Sequence, residues 1–252
     1  EIMAKYKSLF TIIGTIWGIN FYELLGKPVS RKAGGGFTRE AIKTKASMVR
    51  VRENNSEFGH CSRLNKVFRQ ALRPFYVQHK FPLFHSRLMT LFTGLKALDP
   101  VNGRGNRLVY RGLEFEEGKR KLVHFNYTPD CKPETVLPFD FEMDWDTYTL
   151  AIPKFQMKQV SFISGATHIA LQFGVLDFNF KTLDYKLHLA DSLVLAKDFA
   201  GDSLSFAVAE TPAGLGLELG VIGIRYYQDI DGELYLLKAK EGVGISVLSV
   251  KD

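Results

Sequence analysis

The sequence predicts an α+β protein in which an N-terminal β-hairpin arm and a helical hairpin precede an antiparallel β-sandwich or barrel. Apolar residues recur at helical spacing between Thr38 and Leu98, whereas from Arg107 onward they recur at every second residue. The second half holds many short strand-like runs with no helical pattern between them, which favours antiparallel sheets over a parallel α/β sheet. We therefore expect three regions: 1–36, 37–106 and 107–252.

Residues 1–36 are predicted to form an arm and a glycine linker. Residues 6–32 are rich in β-branched and aromatic types, and Gly26-Lys27-Pro28 separates two short runs, as in a β-hairpin. Gly34-Gly35-Gly36 then permits almost any backbone direction. The apolar side chains of the first run need to be covered, either within the parent chain or by a sheet edge of a neighbouring copy. The predicted assembly-arm residues are Ile12, Ile13, Ile16, Trp17, Ile19 and Phe21.

Residues 37–106 are predicted to form a basic helical region. Thr38 is a candidate N-cap, and an apolar stripe runs from Ile42 to Phe75, with a kink or a second helix expected at the polar stretch 52–56. A second stripe, Phe84 to Leu98, completes the helical hairpin. The predicted basic surface consists of Arg39, Lys43, Arg50, Arg52, Arg63, Lys66, Arg69 and Arg73.

Residues 107–252 are predicted to form an acidic antiparallel β-domain. In the run Leu137–Asp146 apolar and acidic residues alternate, so we expect a strand that buries Phe139, Phe141 and Trp145. Its opposite side predicts an acidic docking face of Asp140, Glu142, Asp144 and Asp146. Asp231-Gly232 is a strong hairpin signal. Other predicted strands are Leu108–Phe115, Leu122–Tyr127, Gln159–Ile163, His168–Phe173, Leu187–Leu195, Leu204–Ala209, Leu217–Gln228, Glu233–Lys238 and Gly244–Val250.

The net charge changes sign along the chain. Residues 1–111 hold 20 Lys and Arg against 6 Asp and Glu, whereas residues 112–252 hold 13 against 21, which gives net charges of +14 and −8. A basic half of this kind can bind nucleic acid, an anionic membrane surface or the acidic half of another copy. A solvated helical surface is the alternative that needs no partner.

No catalytic pattern stands out in the sequence. The histidines do not stand at metal-ligand spacings, Cys61 and Cys131 match no redox or metal motif, and no phosphate loop or nucleophile elbow is found. The sequence therefore predicts no enzyme, no cofactor, no metal and two free thiols. The apolar run Leu9–Ile19 is interrupted by glycines and lacks a cleavage site, so we expect no signal peptide and no transmembrane segment, with cytoplasmic assembly or release by a non-classical route.

Several segments carry a resemblance to a known group of sequences. These are Gly14-Thr15-Ile16, Phe21-Tyr22, Gly26-Lys27, the stretch 51–59, and the C-terminal stretches 223–228 and 231–236. They resemble uncharacterised bacterial proteins of Bacteroidota type that form domain-of-unknown-function families. In that family glycine or aspartate stands in place of Trp17. The resemblance implies a fold and no activity.

The leading hypothesis is a non-enzymatic structural protein that assembles with copies of itself into a filament, a surface layer or a phage-like particle. The opposite charges of the two halves and the β-prone arm both favour it. One alternative is a nucleic-acid-binding protein that uses the basic helical region. Another is a ligand-binding β-sandwich, which would need exposed aromatic residues such as Trp145 or Tyr148.

Overall fold

The computed structural model describes residues 4–5, 12–33, 38–81 and 83–251. The chain divides into two compact units, Glu1–Arg52 and Glu53–Asp252. Helices and antiparallel sheets occur in similar amounts, which confirms the α+β class. The three regions expected from the sequence stay a prediction about domains.

The first unit contains a four-stranded antiparallel sheet. Its strands lie in the order β1-β4-β3-β2, and β2, β3 and β4 follow one another as a meander. The pairing of β3 with β4 confirms a hairpin at Gly26, but the first predicted run, residues 10–22, is not one strand, because a turn at Trp17-Gly18 divides it into β2 and β3. The predicted glycine linker at 34–36 lies outside the described residues. The strands are β1 (Ala4–Lys5), β2 (Gly14–Ile16), β3 (Ile19–Leu24) and β4 (Lys27–Lys32).

A short helix, α1 (Arg39–Thr44), follows the sheet. It begins as predicted at Thr38, whose hydroxyl oxygen accepts a hydrogen bond from the backbone N–H of Ala41 at 3.1 Å. A 3₁₀ turn, Ala46–Met48, then leads into the long helix α2 (Val49–Ala71). The alternative of a second helix beginning at residues 52–56 is wrong, because α2 runs through this stretch without a break, and the alternative of a kink stays a prediction.

The predicted helical hairpin is confirmed. Helix α2 is followed by α3 (Arg73–Tyr76) and α4 (Phe84–Lys96), and the two apolar stripes face each other. Phe68 of α2 packs edge-on against Phe92 of α4, with 5.5 Å between the ring centroids.

The helical part extends beyond residue 107, contrary to prediction. The segments Leu108–Phe115 and Leu122–Tyr127 are not strands, because helices α5 (Val109–Leu113) and α6 (Glu116–Val123) occupy them and α7 (Pro133–Val136) follows. Gly112 allows α5 to pack closely against α4. A Cβ at this position would lie 2.0 Å from the carbonyl oxygen of Leu95, so α5 lies against α4 only because the residue is glycine.

The remaining strands form two antiparallel sheets. A three-stranded sheet has the order β10-β6-β5. In a six-stranded, curled sheet the long strands β7 and β11 pair with each other, β8 and β9 flank β7, and β12 and β13 flank β11. The strands are β5 (Glu142–Asp144), β6 (Thr149–Ile152), β7 (His168–Phe178), β8 (Tyr185–Leu189), β9 (Leu193–Ala196), β10 (Leu204–Ala207), β11 (Leu217–Ile230), β12 (Glu233–Leu236) and β13 (Val243–Val250).

Three further predicted strands differ from the structure. The segment Leu187–Leu195 is not one strand, because the chain leaves β8 after Leu189 and enters β9 at Leu193. In the run Leu137–Asp146 only Glu142–Asp144 is a strand, since Pro138 has no N–H to donate to a ladder and the backbone turns so that Phe139 bonds to the carbonyl of Leu137. Phe139, Phe141 and Trp145 are half-buried and not buried. The segment Gln159–Ile163 is also wrong as a strand, because a 3₁₀ turn ends at Gln159 and no strand follows until His168.

The second unit has three layers with two hydrophobic cores. On one face of the six-stranded sheet, the helices pack against Phe178, Val221 and Val247 among others. On the other face, the three-stranded sheet packs against Phe173, Ile222 and neighbouring apolar residues. Two separate cores give this unit enough buried apolar surface to be stable by itself. Among the described residues, every helix is too short or too polar to cross a membrane.

Candidate assembly surfaces

The sheet of the first unit exposes an unusual amount of apolar surface. Among the described residues of this unit, Val29 alone is buried. Trp17 is 99% exposed and Leu25 is 77% exposed. We call the exposed apolar set the N-terminal sheet surface, and it consists of Ile13, Ile16, Trp17, Ile19, Leu24 and Leu25.

The two turns of this sheet hold bulky residues in the left-handed region. Trp17 (φ 47°) and Gly18 (φ 73°) join β2 to β3, and Leu25 (φ 53°) and Gly26 (φ 75°) join β3 to β4. Two-residue hairpins with positive φ at both positions normally take Asn-Gly or Asp-Gly. A Trp or Leu at the first position carries backbone strain of about 1 kcal/mol or more. Strained and exposed apolar residues at the tips of hairpins are candidates for contact with a partner.

The predicted arm residues differ in their exposure to solvent. Ile13, Ile16, Trp17 and Ile19 are exposed, whereas Ile12 and Phe21 are half-buried. The sequence prediction missed Leu24 and Leu25. The signal that could have found Leu25 is a bulky apolar residue directly before a glycine, Leu25-Gly26, which repeats the pattern of Trp17-Gly18.

Positive charge surrounds the N-terminal sheet surface. Residues 1–52 hold 10 Lys and Arg against 3 Asp and Glu, a net charge of +7. On β4, Lys27, Arg31 and Lys32 are exposed, and the guanidinium of Arg31 lies 5.6 Å from the ring centre of Tyr22. The surface therefore combines apolar side chains with cations.

The predicted basic surface is spread over both units. In the first unit Arg39, Lys43 and Arg50 are exposed. Arg52 is half-buried there, and its Nη1 donates to the carbonyl oxygens of Ile42 at 2.7 Å and Lys45 at 3.0 Å, so this side chain joins α1 to α2.

In the second unit, three of the four predicted basic residues, Arg63, Lys66 and Arg73, are exposed. Arg69 is half-buried, and its Nε donates to Asn65 Oδ1 at 2.9 Å. Arg69 and Arg52 therefore have structural partners, which leaves six of the eight predicted cations exposed.

All four residues of the predicted acidic docking face are exposed: Asp140, Glu142, Asp144 and Asp146. Glu142 and Asp144 belong to the edge strand β5, which pairs only with β6 among the described strands, and Asp140 and Asp146 flank it. Asp144 caps the turn after the strand: hydrogen bonds from the Thr147 hydroxyl and from backbone N–H groups lower the pKa of its carboxyl. The apolar residues between the carboxylates point inward, so this face offers charge without exposed apolar contact.

A second acidic surface, which the sequence analysis did not single out, lies at the hairpin between β11 and β12. Here Ile230, Leu234 and Tyr235 are exposed. Three carboxylates are exposed among them: Asp229, Asp231 and Glu233. Strand β12 pairs with β11 and with no other described strand, so its outer edge offers backbone N–H and C=O groups for pairing. We call residues 229–235 the acceptor hairpin.

A pocket of about 450 Å³ lies between β13 and the segment before β5. Half-buried rings of Phe125, Phe139 and Phe141 line it, together with the carboxyl groups of Glu134 and Asp140. Mixed apolar and polar linings of this kind suit small-molecule ligands. A ligand site on the sandwich would need Trp145 or Tyr148 to be exposed. Neither is, because Tyr148 is buried and Trp145 is half-buried against it.

The two thiols are free and buried, as predicted. Burial raises the pKa of both, that of Cys131 to about 12, so neither is a thiolate near neutral pH. In the part of the chain that the structure describes, no three His, Cys, Asp or Glu side chains are grouped to hold a metal ion.

Comparison with protein-family models, with curated proteins and with solved structures found no match to this chain, and the resemblance to a bacterial family of unknown function stays a prediction.

Proposed function

We propose that this chain is a non-enzymatic structural protein that assembles head to tail, with the N-terminal sheet surface of one copy bound to the acceptor hairpin of the next. The observation that carries the proposal is the exposure of the N-terminal sheet surface. Small sheets are stable in water only when one face is packed against other structure. A sheet that buries Val29 alone among the described residues of its unit needs such a cover.

The exposed apolar side chains also favour a protein partner. Several large apolar side chains left in water on one small sheet are typical of an interaction surface. Strand β2 is an edge of its sheet and carries Ile16, with Ile13 directly before it. A strand edge with exposed apolar residues suits strand addition to another sheet edge.

The acceptor hairpin matches this surface in composition and charge. It offers an open edge at β12, exposed Leu234 and Tyr235 for apolar contact, and carboxylates for the cations of β4. It suits the role better than the predicted acidic docking face around β5, which exposes carboxylates without apolar side chains. Opposite charges on two patches also orient the encounter of two copies.

Repeated contact between two different surfaces does not close on itself unless the rotation happens to form a ring. Every copy carries both surfaces, so each bound copy still presents one free end. Filaments, layers or particle shells follow from this geometry.

A charge-swap experiment tests the pairing. The donor variant K27E/K32E leaves β4 with a net charge of −1, and the acceptor variant D231K/E233K leaves the acceptor hairpin with a net charge of +1, because Arg31 and Asp229 are unchanged. Each variant alone therefore places like charges opposite one another, so both are expected to remain monomeric. The combined variant restores opposite charges and is expected to assemble again. Light scattering and negative-stain electron microscopy at low salt provide the readout. Assembly of the single-sided variants at the level of the parent would contradict the proposed pairing.

Nucleic-acid binding is the second candidate function. It is favoured by the exposed cations Arg63, Lys66 and Arg73 of the second unit. Binding of this kind would be weak and would vanish near physiological salt, because the entropy gained when each condensed counterion is released falls as the salt concentration rises.

A further inference from the structure

A loop between α4 and α5 is held in place by two buried carboxylates. Residues 99–108, which we call the Asp99 loop, carry the sequence Asp-Pro-Val-Asn-Gly-Arg-Gly-Asn-Arg-Leu. Asp99 Oδ1 accepts from the backbone N–H groups of Val101 at 2.9 Å and Asn102 at 3.0 Å. Asp99 Oδ2 accepts from Asn102 Nδ2 and from the N–H of Leu108, both at 2.8 Å. One carboxylate therefore ties both ends of the loop together.

The second carboxylate belongs to Glu57 of α2, which is 2% exposed. Its oxygens accept from the backbone N–H of Gly105 at 2.8 Å, from Arg107 Nε at 2.8 Å and from Arg107 Nη2 at 2.9 Å. Lys96 of α4 completes the cluster as a further ion-pair partner. Hydrogen bonds from Arg107, and then from Lys96 and Gly105, outweigh the effect of burial and keep the pKa of Glu57 far below its usual range.

The loop is also packed directly against α2. Gly105 has φ 96°, and a Cβ at this position would lie 2.9 Å from Cγ of Glu53. Burying an ion cluster gives no more stability than apolar packing of the same volume. What it supplies is one fixed loop conformation, which is what a preorganised binding site requires.

The fixed loop and α2 enclose a pocket of about 340 Å³. Glu57 and Asp99 are each saturated by hydrogen bonds, and Lys96 and Arg107 balance their charge. Arg63, in contrast, is an exposed cation with no hydrogen bond or salt bridge to any described residue. The polar residues that line the pocket are Ser56, Glu57, His60, Arg63, Asn102, Asn106 and Arg107, and the carboxylate of Glu57 among them is paired with Arg107 and Lys96.

The neutral ring of His60 adds a hydrogen-bond donor to the residues that line the pocket. Its Nε2 accepts a hydrogen bond from the N–H of Val109 at 3.3 Å, which places the proton of the neutral ring on Nδ1. Burial, followed by the charges of Arg63 and Lys96, lowers the pKa of His60, so the ring is neutral at pH 7. The positive field that disfavours a second proton on His60 attracts an anion.

We propose that this pocket binds the phosphate group of a small phosphorylated ligand, with Arg63 as the charged contact and the polar side chains around it as hydrogen-bond donors. The proposal is independent of self-assembly, because neither the N-terminal sheet surface nor the acceptor hairpin contributes to the pocket. A pocket of this size holds a phosphorylated small molecule, and a guanidinium is well suited to a phosphate.

Isothermal titration calorimetry of the full chain with inorganic pyrophosphate, at constant ionic strength, tests the site. We compare the parent, R63Q and the matched control K66Q, which changes an exposed cation of the same helix that does not line the pocket. We expect saturable binding in the parent and in K66Q, and binding weaker by about tenfold or more in R63Q, since one charge-assisted contact is lost. Neither surface substitution should shift the thermal midpoint appreciably.

Absence of saturable binding in the parent, or an equal loss in R63Q and K66Q, would overturn the proposal. A short single-stranded oligonucleotide serves as a second probe. At physiological salt it is expected not to displace pyrophosphate. Displacement would assign the pocket to nucleic acid and would also overturn the proposal.

Discussion

Trp17 combines a fully exposed side chain with a strained backbone conformation. With φ 47° at the tip of a hairpin, it occupies a conformation that glycine, asparagine or aspartate adopts with less strain. Its side chain is 99% exposed, so its burial on folding does not offset this strain.

Substitution of Trp17 separates stability from assembly. We expect W17G to keep or raise the free energy of unfolding, by up to about 1 kcal/mol, because the turn relaxes. Assembly is expected to weaken because the largest exposed apolar side chain is removed. Chemical denaturation and light scattering provide the two measurements. A W17G protein that assembles as strongly as the parent would show that Trp17 is not part of the contact.

Asp99 makes the Asp99 loop sensitive to acid. Burial alone would raise the pKa of Asp99, but hydrogen bonds from Asn102, Leu108 and Val101 outweigh it and lower the pKa to about 2. A carboxyl whose pKa is lower in the folded state stabilises the protein above its unfolded value, 3.8, and this contribution is lost as the pH falls toward 2.

We therefore expect hydrogen exchange at the N–H groups of Asn102 and Leu108 to stay slow at pH 4 and to lose protection between pH 4 and pH 2. D99N serves as the control, because its amide nitrogen cannot accept the hydrogen bonds made to Oδ2. In D99N the loop should be less protected at pH 6, and the acid-dependent step should disappear. An unchanged step in D99N would assign it to another group.

At the scale of elements, glycines set the packing of α5 and α6. A Cβ at Gly112 would meet the Leu95 carbonyl oxygen at 2.0 Å, whereas a Cβ at Gly94 of α4 would have no atom within 4 Å. We expect G112A to lower the free energy of unfolding by more than about 3 kcal/mol, because the helices must move apart. The control G94A should raise it by about 0.5–1 kcal/mol. Thermal and chemical denaturation measure both changes, and a neutral G112A would refute the proposed close packing.

The same helices show why sequence patterns predicted only part of the fold. The stripes of α2 and α4 are long and periodic, so the helical hairpin could be predicted, as could the Asp231-Gly232 turn. Residues 108–115 contain β-branched and aromatic types in a short run, which local preference cannot assign to helix or strand. Contact with α4 decides the outcome, and this contact joins residues distant in sequence.

Of the candidate surfaces too, only some could be predicted from the sequence. The N-terminal arm could be predicted because its apolar residues do not alternate with polar ones. Four of the six predicted residues are exposed. The acceptor hairpin could not be identified, because the exposure of Leu234 and Tyr235 depends on β12 being an edge strand. The pocket beside the Asp99 loop was missed because Glu57 and Asp99 are 42 positions apart and meet the same loop only after folding.

At the scale of the whole molecule, the two units differ in what stabilises them. The second unit, residues 53–252, contains both hydrophobic cores, whereas the described part of the first unit buries Val29 alone. We therefore expect the second unit to determine the stability of the fold, and the proposed assembly to depend on the first unit.

Deletion of residues 1–33 tests this assignment most directly. Sedimentation and light scattering of the truncated chain, together with its thermal unfolding, give the readout. We expect a soluble monomer that unfolds cooperatively, because both cores remain and the proposed donor surface is gone. A truncated chain that no longer folds would mean that the N-terminal sheet packs within its own chain, and one that still polymerises like the parent would contradict the assembly role of the sheet.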